Sequence, residues 1–253
     1  MSESFVAGRF AGRTAVVTGA GSGIGRATAT RLLQEGARVI ASDLVPERLR
    51  ALERQLPSGL LVTVAGDIAS PETVRAIMTA AAGRVDSLAN VAGIMDGFLP
   101  SAEIDDATWD KVMDVNVTAV MRMTRAVLPL MLDAGAGSIV NVSSEAGLRG
   151  SAAGTAYTTS KHAVNGFTKS TAFFYTPSGI RCNAVAPGGV ATHIDGSLKS
   201  QFAGVRLRPF MQTVVPPAAT PERLASAITW LLSDDAANIS GTILADDGGW
   251  SAA

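Results

Sequence analysis

In the stretch "AYTTSKHA", Tyr157 and Lys161 stand four residues apart. A helix through that stretch places the two side chains on one face, one turn from each other. A phenol with a pKa of about 10 is a poor acid or base at neutrality. A neighbouring ammonium stabilises the phenolate and draws that value down, so Tyr157 becomes a candidate general acid or base. Ser143 and Ser144 end the apolar run "SIVNVSS" at 138–144. A hydroxyl there can donate to a carbonyl oxygen that gains negative charge. Spacing alone does not choose between the two serines. Taken by itself, Tyr-x-x-x-Lys is an ordinary surface helix pair, so its meaning depends on what surrounds it.

A second stretch, "VVTGAGSGIGRATA" at 16–29, passes from a strand pattern to a helix pattern through Gly19, Gly21, Gly23 and Gly25. The spacing is T-G-x-x-x-G-x-G from Thr18 to Gly25, with Ile24 where a strict G-x-G-x-x-G would need its third glycine. A strand, glycine turn and helix in this order form a pyrophosphate cradle, since the free N–H groups of a helix N-terminus point at the anion. The glycines are expected because the phosphates approach the main chain. Asp43 follows the next apolar run at the distance where an acid meets the ribose hydroxyls of a bound dinucleotide. A carboxylate there repels a 2′-phosphate, and Ser22 stands where a compensating base would, so NAD is expected over NADP. The competing reading makes Asp43 only the start of the turn before Pro46.

The elements that must position these groups alternate along the chain. Short runs, apolar on both alternations, lie at 14–18, 38–42, 60–64, 86–90, 138–144, 180–185 and 242–245. Helical periods lie near 24–35, 47–56, 71–82, 107–133, 155–174 and 221–232. Ser70-Pro71-Glu72 and Thr220-Pro221-Glu222 each read as an N-cap, a first-turn proline and an acid near the positive helix end. This pattern is that of an α/β chain with a mostly parallel sheet covered on both faces. It is expected to form one domain over 1–253. The segment 190–219 shows no clear period and reads as a substrate loop that closes over the site.

The ordered set T-G-x-x-x-G-x-G at 18–25, Asn90 with Ala92-Gly93, Asn116, Ser144, Tyr157-x-x-x-Lys161 and Pro187-Gly188 resembles the short-chain dehydrogenase/reductase family. The resemblance runs from Gly12 to Gly249. It implies a Rossmann-type doubly wound fold with seven parallel strands in the order 3-2-1-4-5-6-7, and reversible hydride transfer between a secondary alcohol and NAD. It also implies that Tyr157 exchanges the proton. The offset of thirteen residues from Tyr157 selects Ser144 over Ser143. Lys161 would bind the nicotinamide ribose and lower the Tyr157 pKa, and Asn116 would hold a relay water. Cofactor contacts would come from Gly19, Ser22, Gly23, Ile24, Gly25, Asp43 and Leu44. Asp67 would meet the adenine amino group with Ile68 beside the ring. Asn90, Ala92 and Gly93 would line the adenosine half. Pro187, Gly188, Val190 and Thr192 would hold the nicotinamide. One departure stands out: the family's Asn-Asn-Ala-Gly is Asn90-Val91-Ala92-Gly93 here, which removes an amide from the support of the central strand.

Composition narrows the remaining classes. With 21 basic and 22 acidic residues and no basic run, the chain offers no stripe for nucleic acid. The start "MSESFVAGRFAGR" lacks a signal-peptide pattern, no run approaches the ~18 consecutive apolar residues of a membrane span, and Cys182 is the only cysteine, so a cytoplasmic enzyme is expected. No metal site is expected, since His162 and His193 have no companions at ligand spacing. His193 reads better as a loop histidine than as a substrate contact. Glu145, Arg149, Met95, Phe98, Phe202, Phe210, Arg206 and Arg208 fall on the loops that would choose a small-molecule substrate. A 3-oxoacyl group on a carrier protein is the alternative substrate, and a non-catalytic NAD sensor is a third. The family likeness implies a homotetramer.

Overall fold

The computed structural model describes residues 5–56, 59–192 and 194–252; His193 lies outside the described residues. Seven parallel strands form one sheet in the order β3-β2-β1-β4-β5-β6-β7. They are β1 (Thr14–Thr18), β2 (Arg38–Asp43), β3 (Leu61–Ala65), β4 (Ser87–Asn90), β5 (Gly137–Val142), β6 (Ile180–Pro187) and β7 (Ile243–Asp246). Strand order reverses between β1 and β4, whose carboxyl ends therefore open a crevice.

Side-chain alternation along the strands divides the core into two layers. Val17, Val39, Ala41, Ala89 and Val140 face one side, beneath α1 (Gly23–Gln34), α2 (Pro46–Gln55) and α8 (Pro221–Leu232). Val16, Ile40, Leu88 and Ile139 face the other. That side is covered by α3 (Pro71–Ala81), α5 (Ala119–Ala134) and α6 (Thr155–Tyr175). Leu32 and Ile77 are completely buried in their respective layers. Burying a side chain of this size contributes about 1.5–3 kcal/mol.

Local signals set the helix ends. Ser70 Oγ accepts the Glu72 N–H at 3.1 Å ahead of Pro71, and α5 stops where Gly135 takes a left-handed φ of +64°. The expected helix at 107–133 is α4 (Asp106–Met113) and α5 joined without a break through a π-helical turn at Asp114–Thr118. By length and composition the stretch Asp106–Ala134 could cross a bilayer. Here Val112, Met123, Val127 and Met131 are instead buried in the fold.

The segment 190–219 departs from its expected irregular course. Its second half is α7 (Gln201–Val214), started by Ser200 Oγ accepting the Ala203 N–H at 3.0 Å. Pro209 and Gly204, both poor residues for a helix interior, hide its period in the sequence.

Candidate active site

The glycine turn sits between β1 and α1 at the crevice. Gly19 has φ +66°, and a Cβ there would stand 2.9 Å from the Ala92 Cα; one on Gly25 would stand 2.1 Å from the Gly19 carbonyl oxygen. The protein's own main chain thus demands these glycines, a reason independent of the phosphate approach expected from the sequence. A tight turn of this kind presents α1 with its first N–H groups free. The Ser22 side chain makes no capping bond, and no acid occupies the first helical turn. Such a helix end accepts an anion.

A cleft of about 380 Å³ runs over this turn. Gly19, Ser22, Gly23, Ile24, Gly25, Asp43, Leu44, Asp67, Ile68, Ala92, Gly93 and Thr192 all line it, as the sequence reading expected of cofactor contacts. Asp43 Oδ2 accepts the Gly21 N–H at 2.9 Å and Oδ1 accepts the Val45 N–H at 2.9 Å, so the acid holds both the glycine turn and the turn before α2. Asp67 Oδ1 accepts the Ala69 N–H at 2.9 Å, and its Oδ2 takes a bond from Lys111 Nζ at 3.0 Å, which together hold its carboxyl below the ordinary range. Arg48, absent from the sequence reading, lines the same end beside Asp43 and Leu44.

Asn90 is placed differently from expectation. Its side chain is buried away from the cleft, with Nδ2 donating to Asn141 Oδ1 at 2.9 Å and to Thr124 Oγ1 at 3.3 Å. Beside it, Thr18 Oγ1 accepts the Val91 and Ala92 N–H groups at 3.0 and 3.2 Å. The central strand is therefore supported without a second asparagine at position 91. Pro187, Gly188 and Val190 follow the carboxyl end of β6 but do not line the cleft.

The predicted catalytic groups converge next to the cleft without lining it: a Cβ on Gly93, which does line it, would stand 3.3 Å from Asn116 Oδ1 and 3.5 Å from Lys161 Nζ. Ser144 lies beside the Tyr157 hydroxyl, where it favours the phenolate, and Ser144 Oγ accepts the Ala146 N–H at 3.1 Å. Ser143 instead turns inward to the Lys161 carbonyl at 3.4 Å. Lys161 Nζ donates to the Val142 carbonyl at 2.9 Å and lies 5.3 Å from the centre of the Tyr157 ring. Asn116, in the π turn, binds Ile94 twice: Nδ2 donates to its carbonyl and Oδ1 accepts its N–H, both at 2.9 Å. Its Nδ2 also donates to Ser160 Oγ at 3.1 Å. With the carboxamide so occupied, a part in a proton relay would fall to the Asn116 main chain.

Burial works against the expected lowering of the Tyr157 pKa. It pushes the phenol up to about 12, against Ser144, which favours the phenolate. Burial likewise brings the Lys161 ammonium down to about 8. The ammonium sits over the ring face rather than at the hydroxyl, so desolvation outweighs charge stabilisation. In this geometry Tyr157 is a proton donor at neutral pH.

An apolar wall surrounds the phenol. Phe98, Ala146 and Ala153 pack with Tyr157, and Met95, Leu198, Leu207 and Met211 lie against them. Leu198, Leu207 and Met211 come from the segment whose period was unreadable in the sequence. Arg149 is ion-paired with Glu145 and is no solvated loop arginine, whereas Phe202 is exposed on α7.

The model of the short chain dehydrogenase family matches residues 13–202. The chain is 40% identical to 3beta-hydroxysteroid dehydrogenase 2 of Eggerthella lenta, with the whole of both chains aligned. The chain belongs to the short-chain dehydrogenase/reductase family. Among solved structures, levodione reductase is 34% identical with a TM-score of 0.87, over 96% of this chain and 99% of that one. A putative NAD(P) dependent gluconate 5-dehydrogenase from Beutenbergia cavernae, with NADP bound, is 35% identical with a TM-score of 0.86, over 97% and 100% of the two chains. The protein is accordingly a nicotinamide-dependent oxidoreductase that interconverts an alcohol and a ketone. The site fits such a cofactor: a helix end free of acids would hold a diphosphate, and the fixed Asp43 carboxylate would face the adenosine ribose.

Proposed function

We propose that this short-chain dehydrogenase/reductase prefers NAD(H) and acts on an apolar secondary alcohol or its ketone, with Tyr157 moving the hydroxyl proton. The observation that carries the reading is the meeting of Ser144, Tyr157 and Lys161 inside an apolar wall. Bound nicotinamide supplies or takes the hydride. Ser22 to Gly25 would hold the diphosphate, Asp43 the adenosine ribose, Asp67 and Ile68 the adenine. Ala92 and Gly93 would line the adenosine half, and Thr192 and Lys161 would hold the nicotinamide half.

In ketone reduction, the Ser144 hydroxyl donates to the substrate oxygen and Tyr157 gives that oxygen its phenolic proton. In alcohol oxidation, the Tyr157 phenolate takes the proton back. Lys161 holds the charge of the phenolate and passes the proton onward. NAD preference rests on Asp43, whose fixed carboxylate opposes a 2′-phosphate. Apolar substrates follow from Phe98, Met95, Leu207 and Met211, and are supported by relatives named for hydroxysteroid and levodione chemistry. The reading includes a homotetramer, because Phe173 and Phe174 of α6 are exposed and packed edge to face on one another with centroids 5.2 Å apart.

The test is nicotinamide absorbance against hydroxysteroids, cyclic ketones, sugars and 3-oxoacyl thioesters, with NAD(H) and NADP(H) in parallel. Apolar cyclic substrates should turn over. Tyr157→Phe should lower kcat by about 10²–10⁴-fold while NADH binds as before. Turnover retained by Tyr157→Phe would sink the assignment. Turnover confined to 3-oxoacyl thioesters with NADPH would replace it with the carrier-protein reading.

A further inference from the structure

Helix α6, which carries Tyr157 and Lys161, begins without a cap of its own. Its N-cap residue is Gly154, which has no side chain to accept the free N–H groups of the first turn. The acceptor comes from the loop after β4, 61 residues earlier in the chain: Asp96 Oδ2 takes the Tyr157 N–H at 2.9 Å. Asp96 Oδ1 takes the Phe98 N–H at 3.0 Å. The carboxylate is only 2% exposed. Gly154 is required for this approach, since a Cβ there would lie 2.5 Å from each Asp96 oxygen and from the Leu99 nitrogen.

The same short loop is tied to every other part of the site. Ile94 is clasped by Asn116, and the Leu99 carbonyl accepts the Thr155 N–H at 2.9 Å. The Gly97 carbonyl accepts the Lys199 N–H at 3.0 Å, next to the Ser200 cap of α7. Phe98 is held at a φ of +59°, a conformation that a bulky residue adopts only when its surroundings impose it, and its ring packs on Tyr157.

We propose that Asp96 is the positioning residue of the acid–base tyrosine: it caps α6 at Tyr157 itself and couples the place of the phenol to the substrate-lining loop 94–99. An acceptor for the Tyr157 main-chain N–H fixes where its Cα sits, and Phe98, held by the other carboxylate oxygen, packs against its ring. One side chain thereby sets both the position of the proton donor and the wall it works beside. Asp96 also acts on the chemistry through its charge. The groups that face the phenol are Ser144 from the end of β5, Lys161 one turn along α6, and Asp96. The Asp96 carboxylate opposes ionisation of Tyr157, alongside burial. It thus favours the protonated donor that ketone reduction needs.

This inference rests on Tyr157 being the acid–base group, and the experiment separates the two. The chain contains two tyrosines, Tyr157 and Tyr175, so tyrosine labelled with 13C at Cζ gives two resonances, assigned by Tyr157→Phe. The NADH-bound enzyme is titrated by NMR from pH 6 towards the Tyr157 value of about 12, and kcat and KM are followed over the same range, for the wild type, Asp96→Asn and Gly154→Ala. Asp96→Asn keeps an acceptor but removes the charge. Its Tyr157 titration, and the acidic limb of alcohol oxidation, should move down by about one pH unit, the size a neighbouring charge produces. Gly154→Ala keeps the charge but forces the carboxylate off the Tyr157 N–H. It should lose roughly 10²-fold in kcat, with NADH affinity unchanged and no downward shift of the titration. A wild-type titration and pH profile in Asp96→Asn, together with wild-type kcat in Gly154→Ala, would overturn the inference. Turnover retained by Tyr157→Phe would instead overturn the acid–base reading beneath it.

Discussion

Asp43, proposed to meet the adenosine ribose, has each oxygen bonded to a main-chain N–H, so its carboxylate cannot swing aside for another anion. A carboxylate oxygen keeps a further lone pair for a ribose hydroxyl. A 2′-phosphate at the same place meets a fixed like charge, and Arg48, on the first turns of α2 and beside Gly21, is placed to oppose that repulsion. Replacing Asp43 by Asn keeps the shape and removes the repulsion while Arg48 remains. The ratio of NADPH to NADH dissociation constants, read by nicotinamide fluorescence, should then fall by about tenfold or more, or ~1.4 kcal/mol. Adding Arg48→Ala should reverse the gain. An unchanged ratio in Asp43→Asn would place cofactor discrimination elsewhere. Of these two residues, only the acid was legible in the sequence: it ends a strand at a meaningful distance from the glycines. Arg48 becomes relevant only through the turn that folds α2 back over Gly21.

Between elements, the most exposed prediction concerns the join of the Ser144 loop to the residues after β7. Glu145 follows Ser144 directly, is 1% exposed, is paired with Arg149, and feels the charge of the Asp247 carboxyl. Asp247 in turn accepts the Gly249 and Ser251 N–H groups, each at 2.8 Å, and its main chain lies where a Cβ on Gly188 would come within 3.0 Å. Burial, with the Asp247 charge, raises Glu145 from its ordinary 4.5 to about 7 against the pull of Arg149, a shift that favours the protonated carboxyl. Because the folded value is the higher one, this group's contribution is complete below about 4.5 and is lost as pH rises through about 7. Glu145→Gln keeps the shape without a titrating proton. Its melting temperature should therefore gain on the wild type between pH 5 and 8, and a constant difference would refute the raised Glu145 pKa. No sequence pattern announces this pair, nor Asp96 with Tyr157, because each joins residues far apart in the chain. By contrast, all seven strands and six helical periods were legible to within two residues, since both-face burial and capping residues write themselves locally. Helix α7 was hidden by Pro209 and Gly204, and the π turn at Asn116 by a period that a single extra residue barely disturbs. The catalytic four were read from type and order. The protonation of Tyr157 was not, because burial is a property of the assembled site.

For the whole molecule, α6 links chemistry to assembly. Its first turns carry Tyr157 and Lys161, while its last carry Phe173 and Phe174, 77% and 66% exposed. Leu132, at the end of neighbouring α5, is 42% exposed as well. Two stacked aromatic rings left in water are costly for a chain on its own; burying one such side chain contributes about 1.5–3 kcal/mol. A two-fold axis past this helix end would cover them with their own copies, since an isologous contact pairs one patch with itself. Sedimentation velocity of the wild type should therefore give a tetramer. Phe173→Glu combined with Phe174→Glu, which places like charges opposite each other across that axis, should give a smaller species. Tyr157, Asp96 and the glycine turn lie at the other end of α6 or beyond it, so the dissociated variant should still bind NADH. A wild-type monomer, or a double variant that sediments unchanged, would remove these phenylalanines from the interface and leave the site chemistry untouched.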